Sequence, residues 1–267
     1  MKKISKYKID KWVLIPLLIF ALISIITIYS AQTILPSYLQ NLALRQIIWY
    51  VVGFGLAYFM MFIGNDFIYD HAWVLYGIGI LSLIGLFFFG TDINDARCWY
   101  TIPGVGTIQP SEFMKIILII TLGTVIHDFN ENFSNPSLME EFKFLIKVGI
   151  IVLFPSILTF LQPDTGVVLI YLLITFVMLF ISGIRYRWFI IAIGLLLALV
   201  GVVLGIYFIN QDLFVDIFGT SFFLRVDRLL DWSNKSGYQL ENGLLSIGSG
   251  GIFGTGIKNT PLYFPEA

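Results

Sequence analysis

Polar and apolar positions fall into long blocks along this chain. No charged residue occurs between Lys11 and Arg45, between Arg45 and Asp66, between Asp70 and Asp92, between Asp164 and Arg185, or between Arg187 and Asp212. A bilayer core about 30 Å thick needs about 20 apolar residues per helix, so each gap holds one span. Two further apolar runs are interrupted: one carries Glu112 and Lys115 just after Gln109, and one over 144–161 contains Pro155. The pattern predicts seven spans, near 13–31, 45–64, 72–90, 110–127, 144–161, 164–183 and 188–209. The runs are continuously apolar and do not alternate, which excludes a β-barrel. The expected fold class is all-α, a polytopic transmembrane helical bundle over residues 1–209.

Orientation follows from the basic residues. With the N-terminus in the cytoplasm, the inner segments collect Lys2, Lys3, Lys6, Lys8, Lys11, Lys143, Lys147, Arg185 and Arg187, nine in all, against three, Arg45, Arg97 and Lys115, outside. The first apolar run, preceded by five lysines, is longer than a signal-peptide core and is followed by six more, so it reads as a retained anchor. Residues 210–267 are expected to begin a large extracytoplasmic loop. Leu213, Phe214, Ile217 and Phe218 lie at helical spacing with Asp212 and Asp216 between them, as in a helix along the interface. A glycine-rich stretch runs from Gly243 to Gly256. An odd number of spans with nothing after that loop suggests a fragment.

Composition narrows the class. Only 12% of the 267 residues are charged and the mean hydropathy is +0.87, too little charge to coat a water-soluble domain. A net charge of −1 offers no bulk attraction for nucleic acid, and no nucleic-acid partner is expected. The single cysteine, Cys98, excludes an intrachain disulfide, and with two histidines, His71 and His127, a histidine-rich metal centre is not expected. Both histidines read as structural. Cys98 reads as a small packed residue, because neither histidine is on its side of the membrane.

Two outer loops end alike. Gln109-Pro110-Ser111-Glu112 opens the fourth span and Gln162-Pro163-Asp164-Thr165 opens the sixth. Proline and an acidic residue in the first turn suit any helix start. A carboxylate at the membrane boundary also needs a partner or a wet cavity. Lys115 lies one turn from Glu112 and supplies one, with the pair expected to point into the bundle. Asp164 has no local cation and is expected to be solvated in a cleft or to find a basic residue such as Arg97. Arg97 itself, in Asp95-Ala96-Arg97-Cys98-Trp99-Tyr100, is either part of an interfacial aromatic belt or a ligand for a phosphorylated lipid. The glycine run fails both nucleotide-binding patterns, because Phe253 stands where a dinucleotide fingerprint needs glycine and Ile257 where a P-loop needs lysine. It remains a flexible loop or a backbone able to approach a ligand or helix closely.

Taken in order and spacing, Ala96-Arg97-Cys98-Trp99, Gln109-Pro110-Ser111-Glu112 with Lys115, Gln162-Pro163-Asp164-Thr165-Gly166, Gly237-Tyr238-Gln239, Ile247-Gly248-Ser249-Gly250-Gly251 and Phe264-Pro265-Glu266-Ala267 resemble the SEDS family (shape, elongation, division and sporulation). The resemblance covers essentially the whole chain. It implies ten spans in the full protein, a site in the bacterial cytoplasmic membrane, and peptidoglycan glycosyltransferase activity that polymerises lipid II on the outer face beside a class B penicillin-binding protein. The role would be cell elongation (RodA-like) or division (FtsW-like); the short N-terminus and a loop without longer insertions tilt toward elongation. It further implies a cavity shaped by Arg97, Glu112, Lys115 and Asp164 and lined by Tyr238, Gln239, Ser249, Gly250 and Gly251. Arg97 or a divalent cation, Mg or Mn, would stabilise the pyrophosphate leaving group. In the family pattern Pro265-Glu266-Ala267 precedes a His-Thr-Asp whose aspartate is the usual catalytic base, so the base is expected past Ala267 and the fragment alone is expected to be inactive. Asp95, Cys98, Glu241 and Asn242 depart from the pattern and weaken the expected phosphate and loop contacts. Buried charges beside a glycine-rich element would also suit a lipid II flippase or an ion-coupled transporter, and a structural scaffold for cell-wall enzymes is the third alternative.

Overall fold

The computed structural model describes residues 10–33, 41–93, 96–103, 106–220, 222–224, 226–227, 238–252 and 254–257, the side chains of 238–240 excepted. It divides into two compact units, one of residues 51–185 and one of 1–50 with 186–267.

The unit of residues 51–185 contains the end of α2 (Leu42–Ile63), α3 (Asn65–Asp70), α4 (Ala72–Phe89), a sheet of β1 (Thr91–Ile93), β2 (Ala96–Ile102) and β3 (Gly106–Ile108), α5 (Pro110–Asn132), α6 (Leu138–Leu161) and α7 (Thr165–Ile181). Chain direction alternates, so α4 and α6 end where α5 and α7 begin, beside the sheet. Helix α5 touches α3, α4, α6, α7 and β2. Its Met114, Leu118, Thr121, Leu122 and Val125 recur at helical spacing and are buried. Helix α6 begins with a capping box, Ser137 accepting from the Glu140 amide while the Glu140 carboxylate accepts from the Ser137 amide. Near its other end Pro155 has no N–H to give the Ile151 carbonyl four residues back. The Tyr76 hydroxyl, from α4, donates to that carbonyl at 2.9 Å. A proline in one helix thus becomes a hydrogen bond to the next.

The three strands form an antiparallel sheet in the order β1-β2-β3, with Thr91 opposite Trp99 and Tyr100 opposite Ile108. The sheet adds a small β element to the all-helical architecture expected from the apolar runs. Its available signals were the β-branched and aromatic run Cys98-Trp99-Tyr100-Thr101-Ile102 and the flanking turn formers Asn94-Asp95 and Pro103-Gly104. Tyr100 ties the sheet to α4 by donating to the Ser82 carbonyl at 2.8 Å, and Gly85 leaves room for that ring, since any Cβ there would collide with the hydroxyl.

The second unit contains α1 (Lys11–Gln32), the start of α2, α8 (Tyr186–Ile209), α9 (Gln211–Phe218) and α10 (Tyr238–Gly250). Asp10 caps α1 through the Trp12 amide, and the Gln32 side chain accepts from the Ala43 amide at 2.9 Å. Helix α9 is the expected amphipathic helix, but Phe214 is fully buried, stacked on Phe222 with Tyr207 edge-on and Phe218 tilted against it, while Leu213 and Ile217 stay exposed. Helix α10 revises the reading of the glycine run as loop: the run is helical as far as Gly250, and Gly251, at φ +56°, ends it in the left-handed conformation open to glycine.

Among the described residues five helices, α1, α2, α4, α6 and α8, are long and apolar enough to cross a membrane; α7 is a shorter apolar helix. Their apolar side chains lie largely exposed, as in a protein solvated by acyl chains. Each of the seven expected spans coincides with a helix, and α5, the most polar of them, is also the one with neighbours on most sides.

Candidate functional site

The sheet end of the 51–185 unit holds both Gln-Pro steps. Gln109 and Asp164, the residues that precede α5 and α7, meet there: the Gln109 amide donates to Asp164 Oδ2 at 2.6 Å, and Asp164 Oδ1 accepts from the Val167 amide at 3.2 Å, capping α7. The two Gln-Pro loops, alike in sequence, are joined to each other in space. Asp164 was expected to rely on solvent or a cation such as Arg97. Its partners are instead a neutral amide and the positive end of its own helix, which stabilise a carboxylate without a cation.

Arg97 points elsewhere. Its Nε and Nη2 grip Asp92 at 2.9 and 2.6 Å, a bidentate pair with both side chains substantially exposed. This pair holds the Asp92 carboxyl below its usual range and the guanidinium above its own. The reason is the strand: successive side chains of β2 alternate faces, so Arg97 is exposed and Cys98 is buried. The Cys98 thiol donates to the Gln162 carbonyl at 2.7 Å and is pushed up to about 11 by burial and by the Asp164 charge. Cys98 is the packed residue expected of it, and it adjoins Asp164.

Gln162 is buried, with its amide donating to the Leu83 carbonyl at 2.8 Å and its Oε1 unpartnered. Ser111 is likewise buried with Oγ unpartnered, while its carbonyl accepts from the Tyr171 hydroxyl at 2.9 Å. Lys115 pairs with Glu112 at 2.6 Å, the lysine mostly covered and the glutamate about half exposed. The expected pair is therefore present, with only its cationic half turned inward. Asp164 meets Gln109 and Glu112 meets Lys115, while Arg97 pairs with Asp92 and joins neither. Sequence reading named both Gln-Pro steps as helix starts and missed that the glutamine side chains are the connectors. Tyr171, inside an apolar run, gave no signal.

The predicted loop residues divide. The side chains of Tyr238 and Gln239 lie outside the described residues. Ser249 donates to the Ser246 carbonyl at 3.1 Å within α10. Around Gly250 and Gly251 a Cβ would meet nothing within 4 Å, so the expectation of a close backbone approach to a helix finds no support there. Among the described residues no group of three or more His, Cys, Asp and Glu is placed to hold a metal ion.

The family profile described as "Cell cycle protein" (FtsW/RodA/SpoVE) matches residues 10–267. A probable peptidoglycan glycosyltransferase FtsW from Wigglesworthia glossinidia brevipalpis is 31% identical over 100% of this chain and 68% of its own length. One of the same name from Lactococcus lactis is also 31% identical, over 70% of this chain and 50% of its own length. The chain thus spans about half to two thirds of these relatives. The crystal structure of the rod shape determining protein RodA from Thermus thermophilus superposes with a TM-score of 0.52 at 26% identity, covering 68% of this chain and 58% of that one. With helices at every expected span, the chain belongs to the FtsW/RodA/SpoVE family, a family of multi-pass membrane proteins.

Proposed function

We propose that the whole protein is a peptidoglycan glycosyltransferase that polymerises lipid II at the outer face of the bacterial cytoplasmic membrane, beside a class B penicillin-binding protein. The observation that carries this reading is the family match over residues 10–267. In the reaction a sugar hydroxyl attacks the anomeric carbon of the donor, the bond to the pyrophosphate oxygen breaks, and the hydroxyl proton passes to a carboxylate. The resemblance assigns that base to an aspartate following Pro265-Glu266-Ala267. The residues in hand supply the surroundings. Lys115, the more covered half of its pair with Glu112, is the cation we assign to the leaving pyrophosphate. Arg97 serves at the rim, where a phosphate can take the two oxygen positions now filled by Asp92.

The test is reconstitution of the full-length gene product with its penicillin-binding partner and labelled lipid II. Glycan ladders that disappear in Lys115→Ala and Asp164→Asn, with the proteins still folded, support the polymerase. Lipid II crossing vesicles without polymerisation would point to a flippase, and neither activity to a scaffold.

A further inference from the structure

At the end of the 51–185 unit away from the sheet, α6 carries Lys143 and Lys147 one turn apart, and both line the same surface groove of about 480 Å³ between α4 and α6. That volume is within the roughly 300–1,000 Å³ of ordinary ligand clefts. Its other walls are apolar, from Trp73 on α4 down past Ile146, Ile150 and Phe154 on α6, and no acidic residue lines it. These are membrane-facing positions: Ile150 is 65% exposed and Phe154 47%. Two ammonium groups spaced i,i+4 repel each other, and among the described residues neither is in an ion pair. Glu140, one turn before Lys143, accepts from the Ser137 amide at 2.6 Å and offsets only part of the Lys143 charge, and Glu141 faces Arg185 at 3.5 Å. Lys147 is also held in place, its Nζ standing 5.8 Å above the Trp73 ring.

Depth fits as well. Helix α6 has 24 residues, about 36 Å at 1.5 Å each, and Lys147 is nine residues from Leu138, about 13 Å in from that end. A lysine there reaches back toward the headgroup layer while the groove below it stays among acyl chains.

We propose that this groove is a binding site for an anionic glycerophospholipid of the surrounding bilayer: the phosphate between Lys143 and Lys147, the glycerol edge against Trp73, and one acyl chain along Ile146, Ile150 and Phe154. An anion there removes the lysine–lysine repulsion, and the chain covers apolar surface that the fold leaves bare. The occupant is an intact lipid rather than free phosphate because most of the groove wall can bind only hydrocarbon.

The test is native mass spectrometry of the delipidated protein titrated with phosphatidylglycerol, or with phosphatidylcholine of the same chains. Phosphatidylglycerol is expected to bind about tenfold or more tightly than phosphatidylcholine. The preference should vanish in Lys143→Gln/Lys147→Gln and persist in Lys143→Arg/Lys147→Arg, which controls for folding. Ile150→Trp, which fills the groove and leaves both lysines, should weaken phosphatidylglycerol. Equal binding of the two lipids, an unchanged preference in the glutamine variant, or competition by glycerol phosphate at the lipid's own concentration would each overturn the proposal.

Discussion

Asp164 is held by one side-chain amide and one helix end, so its contribution is measurable by removing either. Replacing it with alanine is expected to cost about 2 kcal/mol, the sum of a lost cap and a lost charge-assisted hydrogen bond, read as a shift in denaturant unfolding of the purified protein. A double-mutant cycle with Gln109→Ala should return a coupling of about 1 kcal/mol; additivity within error would show that the 2.6 Å contact contributes nothing. Cys98 gives a pH-dependent readout. With its thiol raised from 9.0 to about 11, the thiolate fraction at pH 7.5 is about a hundredfold below that of an unperturbed cysteine, and alkylation of the folded protein should be slower by at least that factor. The sign for stability follows. The fold disfavours the thiolate, so the contribution is intact below about pH 9 and is lost progressively as pH climbs to about 11.

At the scale of elements, the bond from Tyr76 to the Ile151 carbonyl is required only because Pro155 lies four residues on. Tyr76→Phe should cost about 1–2 kcal/mol by leaving that carbonyl unpaired in apolar surroundings. In a Pro155→Ala background the backbone N–H of residue 155 can serve the same carbonyl, and the cost should fall to within about 0.5 kcal/mol of zero. An equal cost in both backgrounds would mean that Tyr76 acts through packing alone. Strand β2 is the element that most altered the expected site. Read as loop, it let Arg97 face Asp164; as a strand it sends Arg97 and Cys98 to opposite faces and leaves only Cys98 beside that carboxylate.

At the scale of the molecule, the distribution of lysine and arginine predicts an orientation with the sheet outside the cell and the α5–α6 connection inside. Thr101→Cys and Ser134→Cys, both at exposed positions, test this in intact cells with a membrane-impermeant maleimide: the first should label and the second only after lysis, against a low background because Cys98 is buried. Labelling in the reverse pattern would invert the orientation. The five helices long and apolar enough to span were legible in the chain, because lipid solvation demands about 20 apolar residues whatever the neighbours are, and such runs are visible one residue at a time. The Glu112–Lys115 pair was legible for a similar reason, since one helical turn fixes its separation. What the sequence could not decide was every contact between segments far apart along it: Gln109 on Asp164, Cys98 on Gln162, Tyr76 on Ile151, Asp92 and not Asp164 on Arg97. Those choices depend on which helix ends meet and which face of a strand is covered, and packing alone sets both.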